Sequence, residues 1–395
     1  MPCSALLHAQ ARAHPETLLL VTDAAMGKIS FIDNGVDNGL KKGRAASLHS
    51  TTLPFPLHAR VWHSNDQSHA YLSSPEGWVI KVNVQTREVM PPLRVGTNTS
   101  GIALSHDDRF IMVANLQPGS LVAINAGDLS LIRTIEVKDR AGKASGVAAL
   151  HTAAARKSFI AVMRDIPELW ELSYDAHAEP VYEGLVHDYK MGEAIALRGP
   201  FPPRRTVLEQ ALSSFAFDIN FTHAIGASDD GFWQVIHLII RRKIRTSRAH
   251  STLQADAGAS WQWQGRPILV LPLVPPQANE NALYVIDMQS WQVLRQIAVS
   301  GKNIRLHTHA NAPYAWIESG DDGIAKKKIA LLDKQSMAIV SVTPALISGS
   351  SAPLAWPREG AQAILRSMDG KALLLVDTKT LELVQRFDLT DSLTD

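Results

Sequence analysis

One short pattern recurs along the whole chain: an apolar run that ends in a polar residue, then a tight turn and a second β-forming run. The run reads ISFID at Asp33, LVAIN at Asn125 and LLLVD at Asp377. The 344 residues from Asp33 to Asp377 make seven steps of about 49 residues, a period typical of repeat architectures. The eight copies end at Asp33, Asn83, Asn125, Asp175, His237, Asp287, Asp333 and Asp377.

Polar links divide the residues before each run into further short β-rich segments. The stretches ARVWHSNDQSHAYLSS at 59–74 and GIALSHDDRFIMVAN at 101–115 each contain two such segments. With the run and the strand after it, each unit has about four strands, as a propeller blade does. The sequence therefore predicts an all-β fold, an eight-bladed β-propeller of four-stranded antiparallel blades. A set of β-sandwiches would not explain eight copies of one motif.

The domain boundaries follow from the repeat. Residues 1–17 are predicted to form an N-terminal tail, either the remnant of an export signal or an ordinary disordered tail, and residues 18–395 a single propeller domain. The first copy lacks an innermost strand before Leu18, so we expect terminal strands to close the ring. The longest step contains an insertion near 187–210, rich in Pro, Arg and Gly, and long structureless loops of this kind tend to be functional or disordered.

Composition and missing motifs exclude several classes of protein. The chain has 39 Lys and Arg against 38 Asp and Glu, without the basic excess of a nucleic-acid-binding protein. Cys3 is the only cysteine, so these residues contain neither an intramolecular disulfide nor the CxxCH site of a c-type haem. The longest apolar run, Ile268–Val274, is too short to span a bilayer. No HExxH, GxSxG, P-loop or GxGxxG motif supports a hydrolase or a nucleotide site.

The innermost strands of a propeller line a central channel, and the residues where they start lie at one mouth of it. Most predicted starts are small residues, which either leave room for a ligand over the axis or only let the strands converge. His58 stands out among them, because imidazole is a common axial ligand of haem iron. The predicted starts are Pro56–His58, Asn98–Ser100, Ala144–Ser145, Leu212–Ser214, Ala257–Ala259, Asn303–His307 and Ser350–Pro353. Other histidines fall in hairpins or turns, where we expect solvated side chains: His69, His151, His177 and His223.

Two arginines follow a Pro-Pro pair in the insertion. Arg204 and Arg205 suit a carboxylate or a phosphate, because a guanidinium binds such groups bidentately. The alternative is a solvated pair on the surface.

Several segments resemble one family. They are RDIPELWELSYD at Arg164–Asp175, GLVHDYKMGEAI at Gly184–Ile195, RRKI at Arg241–Ile244, WQWQGR at Trp261–Arg266, LYVIDMQSW at Leu283–Trp291 and NAPYAWIE at Asn311–Glu318. From about Leu18 to Leu389 the chain resembles the haem d1 propeller family, the d1 domain of cytochrome cd1 nitrite reductase and the related haem d1 biosynthesis proteins. The resemblance implies an eight-bladed propeller that binds haem d1, an iron tetrapyrrole, or a late precursor of it.

The resemblance also assigns residues to the site. His58 falls on the proximal ligand of the haem iron, and His187 falls on a distal histidine that would serve as the acid or base. His309 matches a further histidine of the family. The macrocycle carries several carboxylates, and the groups that would meet them are Arg60, Arg204, Arg205 and Arg305, with His307 in support.

The chain departs from the family at four positions. Gln254 and Pro353 stand where histidines are expected, and His307 and Ser100 stand where arginines are common. These departures and the missing c-type haem point away from nitrite reduction. If the chain is an enzyme, the resemblance implies an oxidoreductase-type step of haem d1 maturation.

The role implied by the resemblance is haem d1 biosynthesis or handling for denitrification, with other haem d1 assembly or nitrite reductase proteins as partners. The family favours the periplasm, and the cytoplasm is the alternative because the sequence has no complete signal peptide. The competing hypothesis is a propeller with a degenerate cofactor site that acts as a protein-interaction scaffold.

Overall fold

The computed structural model describes most of the region predicted to be the propeller. Its described residues are 18–24, 26–33, 48–58, 60–183, 195–197, 199–218, 220–229, 231–248, 252–253, 258–274, 281–301, 303–320, 328–340, 345–351, 353–354, 356, 360–369 and 371–388. Two of the predicted site positions, His187 and Gln254, lie outside these residues.

The first repeat forms a three-stranded antiparallel sheet, which we call the N-terminal sheet. Its strands, in spatial order, are β1 (Leu18–Asp23), β2 (Lys28–Asp33) and β3 (Leu48–Thr52). The alternating buried residues Ile29 and Phe31 of β2 face the neighbouring sheet, as expected of a strand whose apolar side chains repeat every second residue.

Seven larger units follow, numbered blades 1 to 7 in chain order. Blade 1 contains β4 (Trp62–His63), β5 (His69–Ser73), β6 (Trp78–Asn83), β7 (Glu88–Val89) and β8 (Leu93–Arg94), and its outer position is split between β7 and β8. Blade 2 contains β9 (Thr99–Leu104), β10 (Phe110–Asn115), β11 (Ser120–Asn125) and β12 (Leu131–Glu136). Blade 3 contains β13 (Val147–Ala153), β14 (Ser158–Met163), β15 (Glu168–Ser173) and, after the separate ribbon of β16 (Tyr182–Glu183) and β17 (Ile195–Ala196), β18 (Pro203–Val207).

The remaining blades repeat this order from the channel outward. Blade 4 contains β19 (Ser214–Phe217), β20 (His223–Ala227), β21 (Phe232–His237) and β22 (Arg242–Arg248). Blade 5 contains β23 (Thr252–Leu253), β24 (Ala259–Trp263), β25 (Arg266–Val274), β26 (Asn281–Asp287) and β27 (Val293–Val299), with its inner position split between β23 and β24. Blade 6 contains β28 (Arg305–His307), β29 (Tyr314–Ser319), β30 (Lys328–Asp333) and β31 (Ala338–Ile339). Blade 7 contains β32 (Gln362–Arg366), β33 (Ala372–Asp377) and β34 (Leu383–Asp388).

The prediction of eight four-stranded blades is wrong, because the structure has seven blades. Blade 7 completes its four positions with Ser350 and Leu354: Ser350 bridges Ser367, and the Leu354 amide donates to the Ile364 carbonyl at 2.7 Å. In the N-terminal sheet, no strand among the described residues pairs with the free edge of β1. The recurring run forms the third strand of each blade and the middle strand, β2, of the N-terminal sheet, so counting its copies counts sheets rather than complete blades. Within the described residues, no strand pairing joins the N-terminal sheet to blade 7, so the expected closure by terminal strands is not seen there.

In blades 1, 2, 5, 6 and 7, the polar residue at the end of the run begins a turn to the outer strand, as its position in the repeat predicts. Asp287 Oδ1 accepts hydrogen bonds from the Gln289 and Ser290 amides at 2.8 and 2.7 Å. This is the turn that Asp and Asn side chains form with amides two and three residues ahead. The equivalent residues Asn83, Asn125, Asp333 and Asp377 end their third strands and make the same kind of bond.

The apolar core lies between the sheets. Seven clusters of buried side chains each join two consecutive sheets, from the N-terminal sheet to blade 7. Phe159 and Trp170, both fully buried, anchor the cluster between blades 2 and 3. Burial of one such side chain is worth about 1.5–3 kcal/mol, so these clusters hold each blade against its neighbours.

Helical structure is minor. Among the residues that the structure describes, one 3₁₀ turn spans Ala154–Arg156 and one α-helix, α1, spans Ala345–Ser348. Within the described part of the chain, no helix has the length and apolar character needed to cross a membrane.

Candidate functional site at the mouth of the propeller

One end of the channel is formed by the starts of the inner strands and by the loops between second and third strands. A pocket of about 620 Å³ opens there between blades 3 and 4. Ala148, Ala211 and Ser213 contribute small side chains to its wall, which supports the reading that small residues leave room at the mouth. Arg164, in the loop after β14, lines the pocket and supplies a cation. It begins the family-like segment Arg164–Asp175, but the sequence alone predicts no role for it.

The pocket also carries acidic groups. Asp165, Glu209 and Asp229 line it, but two of these carboxylates have partners within the protein. Asp165 Oδ2 accepts a hydrogen bond from the Gly146 amide at 3.0 Å, and Glu209 pairs with Lys243. Of the three carboxylates only Glu209 has an ion-pair partner among the described residues, so an anionic ligand at this pocket would meet the guanidinium of Arg164 and also the charged carboxylates of Asp165 and Asp229.

His58 lies at the mouth, where the chain enters the inner position of blade 1. Its amide donates to the Ser73 carbonyl at 2.7 Å, and its Nδ1 lies 2.9 Å from Ser73 Oγ. Burial lowers the pKa of His58 below its ordinary value of 6.5, against hydrogen bonds with the Thr99 and Ser73 backbone. The ring is thus held in one orientation and favoured in the neutral form, which is the form that can ligate a metal.

Arg60 follows His58 by two residues and comes shortly before β4, which begins at Trp62. Its side chain is exposed, and its guanidinium carbon lies 4.1 Å from the centre of the Trp62 ring. Arg305 occupies the corresponding first position of β28 in blade 6 and is also exposed. Two of the predicted carboxylate partners therefore lie at inner strand starts.

His307 lies two residues after Arg305 in the inner strand of blade 6. Its Nε2 is 3.4 Å from the buried carboxylate of Glu318 on the adjacent strand. Of the departures from the family, Ser100 is tied between blades 2 and 3, because its hydroxyl donates to the Val147 and Ala114 carbonyls at 3.1 and 3.2 Å. Pro353 is buried in blade 7.

The structure separates His309 from the mouth. β28 starts at the mouth with Arg305, so the turn that follows it lies at the opposite end of the blade. His309 belongs to that turn, where its ring centroid is 6.3 Å from that of Trp356. Lys334 Nζ donates to the His309 and Ala312 carbonyls at 3.0 and 2.9 Å and holds the turn in place.

Arg204 and Arg205 lie in β18, the outer strand of blade 3, rather than in an irregular loop. Three strand spacings of about 4.8 Å put this strand roughly 14 Å outward from the inner strand. Arg204 Nη2 donates to the Glu179 carbonyl at 3.1 Å. The Arg205 guanidinium lies 4.5 Å from the Trp170 ring centre and 3.8 Å from Glu168 Oε2. Both arginines therefore make contacts within their own blade.

His151 was expected to be solvated, and this is wrong. It lies in β13, the inner strand of blade 3, and its Nε2 is buried without a hydrogen-bond partner. Burial, followed by the charge of Arg60, lowers the pKa of His151 to about 4. The signal that could have found it is its distance from the predicted strand start at Ala144–Ser145, which places it inside an innermost strand.

The donor set at the mouth suits a metal that arrives inside a macrocycle. Among the described residues, no three His, Cys, Asp or Glu side chains converge to hold a metal ion by themselves. A tetrapyrrole supplies most ligands of its own iron, so one neutral imidazole such as that of His58 would be enough to hold the group through its metal. The residues present fit an iron tetrapyrrole better than a bare ion.

Comparisons with known proteins agree on one family. The sequence model of the cytochrome D1 heme domain matches residues 13–188 and 225–392. Dihydro-heme d1 dehydrogenase of Pseudomonas aeruginosa is 30% identical over 384 residues, which are 95% of this chain and 70% of that protein. Protein NirF of Stutzerimonas stutzeri is 23% identical over 379 residues, 93% of this chain and 88% of that protein. The solved structure of dihydro-heme d1 dehydrogenase NirN in complex with DHE has a TM-score of 0.76 at 27% identity, and covers 98% of this chain and 75% of that one.

Proposed function

Because this chain belongs to the cytochrome d1 haem domain family, we propose that it binds haem d1 or a late precursor at the mouth of its propeller. It acts in haem d1 biosynthesis or handling for denitrification, a role supported by its 30% identity to a protein named dihydro-heme d1 dehydrogenase. The single observation that supports the mouth as the site is His58, a half-buried imidazole with a lowered pKa and an Nδ1 atom held beside Ser73 Oγ.

His58 is the proposed axial ligand. A ligating imidazole usually has its other nitrogen held by a neighbouring polar group, which orients the ring. Ser73 supplies that group here, at 2.9 Å. When bound, the iron tetrapyrrole supplies the redox chemistry, and the protein supplies ligation, orientation and electrostatics.

The cations at the mouth are the proposed partners of the macrocycle's carboxylates. Arg60 and Arg305 lie at inner strand starts, and Arg164 lines the pocket between blades 3 and 4. A charge-assisted hydrogen bond from a guanidinium to a carboxylate is about twice as strong as a neutral one. Arg204 and Arg205, in an outer strand, would need a ligand that reaches well beyond the channel. His187 remains the proposed distal acid or base, as a prediction on a residue outside the described part.

An oxidoreductase-type maturation step is the proposed chemistry if the protein is an enzyme. The 30%-identical relative is named a dehydrogenase, which removes two electrons and two protons from its substrate. The same step here would need an external electron acceptor, because the lone Cys3 leaves no CxxCH site for a c-type haem within these residues. The proposed compartment is the periplasm, and the proposed partners are other haem d1 assembly or nitrite reductase proteins that could accept the electrons or the product.

Titration of the purified protein with haem d1, followed by absorption spectroscopy, tests the site. We expect a saturable spectral shift in the wild type and loss of the iron–imidazole bands in His58→Ala. Because protonation of the ligating imidazole competes with iron, binding should weaken as the pH falls below the pKa of His58, which burial holds under its ordinary value.

The matched control is His69→Ala, since His69 lies at the start of β5, away from the mouth, and should leave the spectrum unchanged. If the wild-type spectrum is only the sum of the spectra of protein and haem d1, the cofactor site is degenerate and the scaffold hypothesis stands. A shift that is identical in wild type and His58→Ala would show that another residue is the ligand.

A further inference from the structure

A second cavity lies between blades 3 and 4, at the end of the propeller opposite the mouth. It has a volume of about 680 Å³ and is formed by the 3₁₀ turn that ends at Arg156, the ribbon that begins at Tyr182, the start of β18 and the turn at residues 238–241. The two turns and the ribbon follow inner or third strands, which run away from the mouth. This cavity, which we call the basic groove, is therefore separate from the proposed tetrapyrrole site.

Blade 3 supplies two guanidiniums to the basic groove. Arg156 Nε and Nη2 donate to the two carboxylate oxygens of Glu171, both at 2.9 Å, and both side chains are mostly buried. Arg204 is the cross-strand partner of Glu171, so its side chain lies on the same face of the blade. Among the described residues, Arg204 makes one side-chain hydrogen bond, from Nη2 to the Glu179 carbonyl at 3.1 Å. Its Nε and Nη1 atoms can therefore donate to a ligand.

Blade 4 supplies a third guanidinium. Arg241 lines the groove and is exposed, and within the described part of the chain its side chain has no hydrogen-bond or ion-pair partner. The carboxylates in the lining are Glu171, which Arg156 already neutralises, and Glu179, which is exposed. The lining thus has an excess of positive charge, which Arg204 and Arg241 carry.

The outer strands on either side of the groove are unusually basic. β18 and β22, from blades 3 and 4, contain Lys or Arg at six positions and neither Asp nor Glu. Each of the other described outer strands contains at most one Lys or Arg. The whole chain has a net charge of only +1, so this concentration of cations is a local feature of the surface.

Exposed apolar side chains border the same groove. Tyr182 and Ile239 line it, and Ile240 follows in the same turn; all three are more than half exposed to solvent. Single exposed apolar residues are ordinary, but a group of them beside unpaired cations is typical of an interaction site. A ligand that complements this surface carries both carboxylates and apolar groups.

We propose that the basic groove binds an acidic segment of a partner protein, in which Asp or Glu residues stand next to apolar residues. Arg204 and Arg241 donate to the carboxylates, as the planar guanidinium favours. Tyr182 and Ile239 pack against the apolar side chains. The groove is concave, so an extended peptide reaches its lining, whereas a flat lipid surface would meet only its rim.

The basic groove does not depend on the cofactor. It lies at the other end of the propeller from His58, and Arg241 and Tyr182 have no part in the proposed tetrapyrrole site. Failure of the groove proposal would therefore leave the function proposed for His58 untouched.

Fluorescence anisotropy of a labelled peptide, titrated with the purified full chain, tests the groove. The probe is the peptide Glu-Leu-Glu-Leu-Glu, and its neutral counterpart is Gln-Leu-Gln-Leu-Gln with the same label. We expect saturable binding of the acidic peptide, at least about tenfold tighter than binding of the neutral one. The affinity should fall as NaCl is added, because salt screens exposed charges.

Three variants assign the binding to the groove. Arg241→Gln and Arg204→Gln should each weaken binding of the acidic peptide about tenfold, the scale of one charge-assisted hydrogen bond. The matched control is Arg87→Gln, which should bind as the wild type does. Arg87 occupies the same turn position in blade 1, with the same left-handed backbone. Thermal denaturation shows whether each variant is folded, and if Arg204→Gln is not, Arg241→Gln decides.

The proposal is overturned if the acidic peptide shows no saturable binding, if the neutral peptide binds equally well, or if Arg241→Gln binds like the wild type. Sedimentation with vesicles that contain phosphatidylglycerol tests the other kind of anionic surface. Vesicle binding that Arg241→Gln abolishes, without binding of the acidic peptide, would overturn the proposal and assign the groove to anionic lipid.

Discussion

At the scale of single residues, burial changes what a histidine does. His58 and His151 both have a lowered pKa, but His58 lies at the mouth with Ser73 of its own blade beside Nδ1, whereas His151 lies in the inner strand of blade 3 against Phe215 of blade 4. Ser73 orients the ring of His58, the proposed iron ligand, and burial keeps the ring of His151 neutral.

His151 should make the fold sensitive to acid. Its pKa is about 4 in the folded protein and near 6.5 in the unfolded chain, so between these values the unfolded chain binds more protons. Stability is therefore full above pH 6.5 and falls as the pH decreases toward 4. We expect His151 to account for a loss of about 2–3 kcal/mol between pH 7 and pH 4.5 in the free energy of unfolding.

Urea denaturation of wild type and His151→Phe at both pH values measures this loss. The variant should lose less stability on acidification than the wild type, by that amount. His177→Phe is the control, since His177 is exposed on a turn after blade 3's third strand. An equal pH dependence in wild type and His151→Phe would show that the imidazole is not buried in solution.

At the scale of elements, the turns between third and outer strands repeat one geometry. The fourth residue after the end of the run has a positive φ of 52–63° in six of the described turns. Asp or Asn at the start accepts amide hydrogen bonds, so the turn tolerates large residues in the left-handed conformation. These residues are Arg87, Leu129, Arg241, Trp291, Met337 and Leu381.

The hairpin between β24 and β25 offers a test of such backbone preferences. Gln264 and Gly265 form its two-residue loop with φ of 49° and 76°, the pattern of a type I′ turn that favours Asn-Gly. Gln264→Asn should raise the free energy of unfolding by about 0.5 kcal/mol. Gly265→Ala should lower the free energy of unfolding by about 1–2 kcal/mol. A Cβ at this position meets no atom within 4 Å, so the loss comes from the left-handed backbone conformation and not from a steric clash.

Thermal denaturation of both variants checks these signs. The matched control is Gln262→Asn, the same substitution at an exposed strand position, where Asn is disfavoured and no gain is expected. Stabilisation by Gln262→Asn as large as that by Gln264→Asn would contradict the turn argument.

At the scale of the whole molecule, the sheets differ in the number of apolar clusters that hold them against their neighbours. Blades 1 to 6 each share an apolar cluster with the sheet on either side. The N-terminal sheet shares a described cluster only with blade 1, and blade 7 only with blade 6. Local opening costs least where the fewest apolar contacts are lost.

Native-state hydrogen exchange should therefore show the weakest protection in the N-terminal sheet and in blade 7, the first and last sheets along the chain. Amides of β2 and β33 should exchange faster than those of β10 and β14, although each of these four strands has a paired strand on both sides. Mass spectrometry of peptic fragments measures the difference. Uniform protection across these four strands would indicate that the ring is closed as firmly at its ends as in its middle.

The sequence by itself determined most of the local structure and the family. The third strands of blades 5 and 7 and the Asp turns that follow them were predicted correctly, because both depend on residues within a few positions of each other. The resemblance to the haem d1 propellers was also confirmed, since it rests on contiguous motifs such as Arg164–Asp175. His58 could be placed at the mouth because it directly precedes an inner strand.

Tertiary structure alone decided what depends on pairing between distant segments. The number of complete blades required knowing which strand edges are paired, and no motif marks an innermost strand. Arg205 proved to be in an outer strand beside Trp170, and His309 at the opposite end from the mouth, because strand direction and register are long-range properties. The ring of His151 packs against Phe215 of the next blade, and the charge of Arg60, from blade 1, lowers its pKa further. The spacing of these residues along the chain could not predict that they act on one another.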